Sequence, residues 1–167
     1  MKKYILIFSS LLLTFALFHS CKKDDNTQTD DQKLLAEATA GLTVWPRTTS
    51  VTDPAGNSIH GPFQIWMNAT ALAALDGSGN LPVGASFPTG SLIVKSIHDT
   101  KTGPVTSYVV MKKDPSNANA GSGWVWADYK IGGEVNHSIS EKGGLGGCVS
   151  CHGGSTNRDL VRSFDLH

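Results

Sequence analysis

The residues with the most specific chemistry lie near the carboxyl end, in Cys148-Val149-Ser150-Cys151-His152. Two thiols separated by two residues, with an imidazole immediately after, have the C-x-x-C-H spacing of covalent haem attachment. Each thiol can add across one haem vinyl group, and the adjacent His152 then presents a nitrogen to the iron. This reading gives one covalent haem c, held by Cys148, Cys151 and His152, with His152 as the iron ligand. Three other readings stay open. A zinc site needs a second ligand pair, and the only other cysteine is the distant Cys21. A thioredoxin-like pair expects a βαβ context, whereas Gly143-Gly144-Leu145-Gly146-Gly147 precedes this one. A disulfide closing so short a loop would be strained.

The opposite end supplies a compartment. Lys2 and Lys3 precede an apolar run from Tyr4 to Phe18, the pattern of an export signal over residues 1–20. The run is short for a membrane span. It leads into Phe18-His19-Ser20-Cys21, which resembles a bacterial lipobox, so Cys21 is the expected lipidation site. The alternative is an ordinary cleaved signal that leaves a free thiol. Two or three acyl chains give stable anchoring. Residues 21–32 read as a flexible polar tether, because Lys22 to Asp31 contains no apolar residue to bury. These signals place the protein in a bacterial cell envelope, lipid-anchored and facing the periplasm or the surface. Covalent haem is attached outside the cytoplasm, in agreement with export.

The elements that must position the motif lie in one domain, residues 33–167. Lys and Arg number 14 and Asp and Glu 14, so no basic field invites nucleic acid. Eighteen glycines and many turn signals favour a β-rich α+β fold over a helical bundle. Asp31 or Gln32 can open a short helix over Lys33 to Ala38, and Asn68 suits the cap of a second helix from Ala69 to Leu75. Three runs alternate with period two. Ser91 to Ile97 sets Leu92 and Val94 against Ile93 and Ile97. Val105 to Lys113 sets Val109 and Met111 against Tyr108 and Val110. Trp124 to Ile131 sets Trp124 and Trp126 against Val125 and Tyr129. The expected architecture is an antiparallel sheet with one or two short helices, closed by a glycine-rich segment that binds haem near the C-terminus.

Several segments in this order resemble the cytochrome P-460 family, which includes the cytochromes c′-beta. They are Phe87-Pro88-Thr89-Gly90-Ser91-Leu92-Ile93-Val94, Met111-Lys112-Lys113-Asp114-Pro115, Gly123-Trp124-Val125-Trp126, Cys148 to His152, and Asp159-Leu160-Val161. The resemblance covers roughly residues 40 to 167. It implies a β-rich mono-haem domain, often a homodimer, with His152 as proximal ligand and an open or weakly filled distal position. Some members oxidise hydroxylamine or handle nitric oxide, and in those a lysine cross-links to the macrocycle. The matching place after Ile65-Trp66-Met67-Asn68 holds Ala69, Thr70 and Ala71, with Lys95 the nearest alternative. A lysine in a strand is more often a solvated edge residue.

The remaining site candidates follow from chemistry. Arg158 and Arg162 suit haem propionates. Met67, Met111, His60, His98, His137 and His167 are candidates for a sixth ligand, with His98 and His137 expected in turns. Phe63, Trp66, Phe87, Trp124 and Trp126 are candidates for an apolar distal wall, and Glu134 and Asp128 for a general base. The functional expectation is a membrane-anchored cytochrome that binds a diatomic gas, nitric oxide first, or performs haem redox chemistry. Its partner is a small gas or a redox protein. The rivals are a plain electron-transfer cytochrome and an oxidoreductase acting on hydroxylamine or peroxide.

Overall fold

A computed structural model describes residues 28–46, 48–55, 58–144, 147–153 and 158–166. The export signal, Cys21, most of the polar tether and His167 lie outside the described residues. Among those described, no helix is long and apolar enough to cross a membrane.

The chain enters through helix α1, Asp30–Gly41. Thr29 and Gln32 close a reciprocal capping box, and Asp30 and Asp31 complement the positive end of the helix dipole. Residues 29–32, expected in the tether, instead cap and open this helix. The polar stretch is helical because Asp31 has tertiary partners. Its carboxylate accepts from Tyr129 Oη at 3.2 Å, Ser138 Oγ at 2.6 Å and the Ile139 amide at 2.9 Å. Leu34, Ala38 and Gly41 recur at helical spacing on the buried face.

Five antiparallel strands follow in the spatial order of the chain. They are β1 (Phe63–Met67), β2 (Leu92–His98), β3 (Val105–Lys113), β4 (Trp124–Lys130) and β5 (Val135–His137). The register places Trp66 beside Val94, Val94 beside Val110, and Val110 beside Ala127. His98 and His137 end strands rather than sitting in turns. Outside β1, Thr52 pairs with Phe63, and Thr49 Oγ1 accepts from the Ile65 amide at 3.0 Å, so that edge is covered.

Because strand side chains alternate, the sheet has two apolar faces. On one, Leu34 and Ala38 of α1 pack over Trp66, Leu92, Val94, Val110, Ala127 and Tyr129. The other carries Phe63, Ile65, Ile93, Ile97, Met111, Trp124 and Trp126. Helix α2, Ala69–Leu72, is capped by Asn68, whose side chain accepts from the Ala71 amide. It is shorter than the run to Leu75 expected from composition. Asn68 also bonds the Leu92 amide and the Gly90 carbonyl, tying the cap to β2.

The second face is covered by the C-terminal segment, which includes α3, Gly147–His152, and α4, Ser163–Leu166. A buried ion pair holds this segment down. Lys113 Nζ stands 2.7 Å from Asp159 Oδ1, and both side chains are 9% exposed. The same carboxylate accepts from Trp124 Nε1 at 3.2 Å and from the Phe87 amide at 2.8 Å. Removing one partner of such a pair typically costs about 3–5 kcal/mol.

Asp31→Ala should destabilise the domain by about 1–3 kcal/mol, because it leaves the fully buried Tyr129 hydroxyl without its acceptor. A lowered urea midpoint with unchanged slope is the expected result. An unchanged midpoint would mean that α1 is held by its apolar face alone.

Candidate functional site

Between the second sheet face and the C-terminal segment lies a cavity of about 630 Å³. Its floor is Phe63 and Ile65 of β1, Ile93, Lys95 and Ile97 of β2, Val109 and Met111 of β3, and Trp126 and Asp128 of β4. Its roof includes Gly144, Cys148, Cys151, His152 and Arg162, with Ser58 to Gly61 at one side. The three residues of the C-x-x-C-H motif thus share one wall.

Helix α3 comes close to the loop before it, and glycine makes this fit. Gly144 has φ +63°, and a Cβ there would fall 2.2 Å from Cys148 Sγ. A Cβ on Gly121 would meet Val149 Cγ2 at 2.5 Å. Both motif thiols are free. Burial pushes the Cys148 thiol above its usual pKa, whereas Cys151 is exposed.

His152 is oriented from behind. Its Nδ1 lies 2.8 Å from the Leu160 carbonyl oxygen. A carbonyl only accepts, so Nδ1 carries the proton and Nε2 keeps its lone pair. Burial, opposed by this hydrogen bond, lowers the imidazole pKa and favours the neutral ring that a metal requires. The Trp126 ring meets His152 edge-on, with centroids 4.8 Å apart. The acceptor for His152 is a backbone atom beyond the Gly153 turn, and no residue type in the sequence announces it.

The other candidates sort by location. Met111, His60 and His137 line the cavity, whereas Met67 is buried in the core outside its wall. His98 lies outside the wall too, its Nδ1 2.9 Å from the Gly103 carbonyl oxygen. Phe63 and Trp126 are wall residues. Trp66 is on the α1 face, and Phe87 and Trp124 pack together behind the C-terminal segment. Arg162 lines the cavity with a buried Nε that has no partner, while its Nη1 donates to the Cys151 carbonyl at 3.0 Å. Arg158 is outside the wall and donates to the Leu81 carbonyl at 2.7 Å. Glu134 bonds Lys130 at an exposed turn, so of the two candidate bases only Asp128 reaches the cavity. Its Oδ1 is buried without a partner, and burial raises its pKa.

Lys95 departs most from the sequence expectation. It lies in an inner strand, not a solvated edge, and its Nζ sits 4.1 Å from the centroid of the Phe63 ring. Burial first, then the charge of Arg162, lowers its pKa to about 8. Ala69, Thr70 and Ala71 belong to α2 and are absent from the cavity wall. A lysine cross-link therefore has no geometric call on those positions.

The Cytochrome P460 family model matches residues 40–163. The chain belongs to the cytochrome P460 family. Membership implies a haem cofactor. No curated protein matches the chain. The geometry fits that cofactor: the cavity falls within the roughly 300–1,000 Å³ of small-molecule sites. Its walls are largely apolar, and unpartnered donors at Trp126 Nε1 and Arg162 Nε suit an acidic edge. Among the described residues there is no cluster of three or more His, Cys, Asp or Glu poised for a metal ion. A haem carries its own nitrogen ligands, so such a cluster is not required of the protein.

Burial of His60, aided by the charges of Lys95 and His152, lowers its pKa from 6.5 to about 4. Within that window the unfolded chain binds a proton that the folded chain refuses, so stability falls as pH falls. His60→Gln should flatten the decline of urea midpoints between pH 6.5 and about 4. A decline of unchanged steepness would show that His60 is hydrated in solution.

Proposed function

We propose that this chain is an exported, lipid-anchored, mono-haem c-type cytochrome whose iron binds nitric oxide or another small diatomic gas. The observation that carries the reading is the wall that brings Cys148, Cys151 and His152 to one apolar cavity, with His152 Nδ1 already committed to Leu160. Cys148 and Cys151 hold the macrocycle through thioethers, and His152 Nε2 is the proximal ligand. Arg162 and Trp126 supply donors for propionate oxygens. A bound haem would supply a redox-active iron able to take a small ligand. Ile65, Ile93, Ile97 and Val109 make that wall apolar and suit an uncharged gas.

Oxidation of a small nitrogen compound such as hydroxylamine is the second reading, and two wall residues favour it. Lys95, with its pKa near 8, is roughly one-tenth neutral amine at pH 7, the nucleophilic form; a bond to a macrocycle carbon would replace one N–H and one C–H and needs a two-electron oxidant such as a peroxide. The unpartnered oxygen of Asp128 can accept a proton from a substrate N–H or O–H. The electron-transfer reading requires Met111, His60 or His137 to close the sixth position.

The deciding experiment is the absorption spectrum of haem-loaded protein, ferric and ferrous, with and without nitric oxide. A ferrous spectrum that shifts with the gas is expected; a six-coordinate spectrum indifferent to it overturns gas binding. A markedly red-shifted ferrous band that disappears in Lys95→Ala establishes the cross-link. Replacing both Cys148 and Cys151 by Ala should abolish the haem that survives denaturing electrophoresis, and retained haem would sink the attachment claim. Cys21→Ser should release the protein from membranes after a carbonate wash, and continued retention would rule out lipidation as the anchor.

A further inference from the structure

We propose that Asp159 is a positioning residue for this site. Fixed by Lys113, Trp124 and Phe87, its carboxylate locks the backbone of Asp159 and Leu160, and so aims the Leu160 carbonyl at His152 Nδ1. The inference rests on the haem reading above and concerns the proximal side of the iron.

Asp159 and Leu160 have φ of 51° and 67°, so two successive residues with side chains occupy the left-handed region that normally suits glycine. Such backbone persists only where its surroundings over-determine it. The surroundings here are four hydrogen bonds to one carboxylate. Lys113 Nζ lies 2.7 Å from Oδ1 and 2.9 Å from Oδ2. Trp124 Nε1 donates to Oδ1 at 3.2 Å, and the Phe87 amide donates to Oδ2 at 2.8 Å. Lys113 ends β3, Trp124 begins β4, and Phe87 belongs to the loop before β2. The carboxylate is thereby referenced to the rigid sheet from three directions.

The consequence appears one residue on. The Leu160 carbonyl, turned by this backbone, lies 2.8 Å from His152 Nδ1. An acceptor held at that distance makes the imidazole more electron-rich, strengthens its bond to iron and favours the ferric state. The residue that sets this bond length touches neither the imidazole nor the cavity. Its effect passes through two φ angles and one carbonyl.

The test uses the full-length, haem-loaded protein. Haem staining of the wild type comes first: a chain without covalent haem sinks the haem reading, and the latch with it, before any variant is compared. With haem in place, Asp159→Asn and Lys113→Met are expected to keep it, because the thioethers are untouched. In both, the ferrous iron–histidine stretch in resonance Raman should move to lower frequency and the reduction potential should rise. Asp31→Ala, a destabilising change on the opposite sheet face, should move neither. If either latch variant carries haem with the wild-type stretch and potential, or if Asp31→Ala shifts them equally, the latch does not position His152. Should Asp159→Asn fail to fold, Lys113→Met decides the matter alone.

Discussion

The Asp159 carboxylate is the fastening on which this architecture depends. A five-stranded sheet with an apolar second face must cover that face. The covering segment is short and glycine-rich. Its helices α3 and α4 span only Gly147–His152 and Ser163–Leu166, too few turns to be stable alone. A buried carboxylate bonded to Lys113, Trp124 and Phe87 supplies what helix propensity cannot. Its bonds are strong because one partner is charged and little water competes.

The two sheet faces have different fates. Helix α1 closes one by side-chain packing, through Leu34 and Ala38 over Val94 and Val110. On the other, strand side chains and roof stand apart and enclose a cavity. Groups brought into that low-dielectric space change character together. Burial disfavours the charged forms of Lys95, His60 and His152, and raises the pKa of Asp128 and Cys148. The cavity thus gathers a neutral imidazole, a lysine of lowered pKa and a carboxylate of raised pKa around one apolar space.

The legible parts of the chain share a feature. The alternation of Leu92 and Val94 against Ile93 and Ile97 assigned both faces of β2 correctly, because a pleated strand has a strict period of two. The three principal strands fall within a residue or so of their expected limits. Helix α1 starts earlier than the polar composition of its first turn implies. Thr29 and Gln32 form a capping box, and that T-x-x-Q spacing was a visible signal. Lys95 differs from its sequence expectation for another reason. Whether a strand lysine meets water or a cavity depends on which strands flank its own, and residue type carries no record of that order.

By itself, the sequence determined the C-x-x-C-H spacing, the β-rich class and which residues share a sheet face. Each is fixed by covalent spacing or by a short backbone period. Only the tertiary structure decided that Met111 and His60 reach the cavity while Met67 and His98 do not, that Asp128 and not Glu134 faces it, and that a Leu160 carbonyl orients His152. Asp159 meets Lys113, Trp124 and Phe87 across separations of 46, 35 and 72 residues. Contacts at that range are set by how the sheet is ordered and how its second face is covered, and no local pattern encodes either.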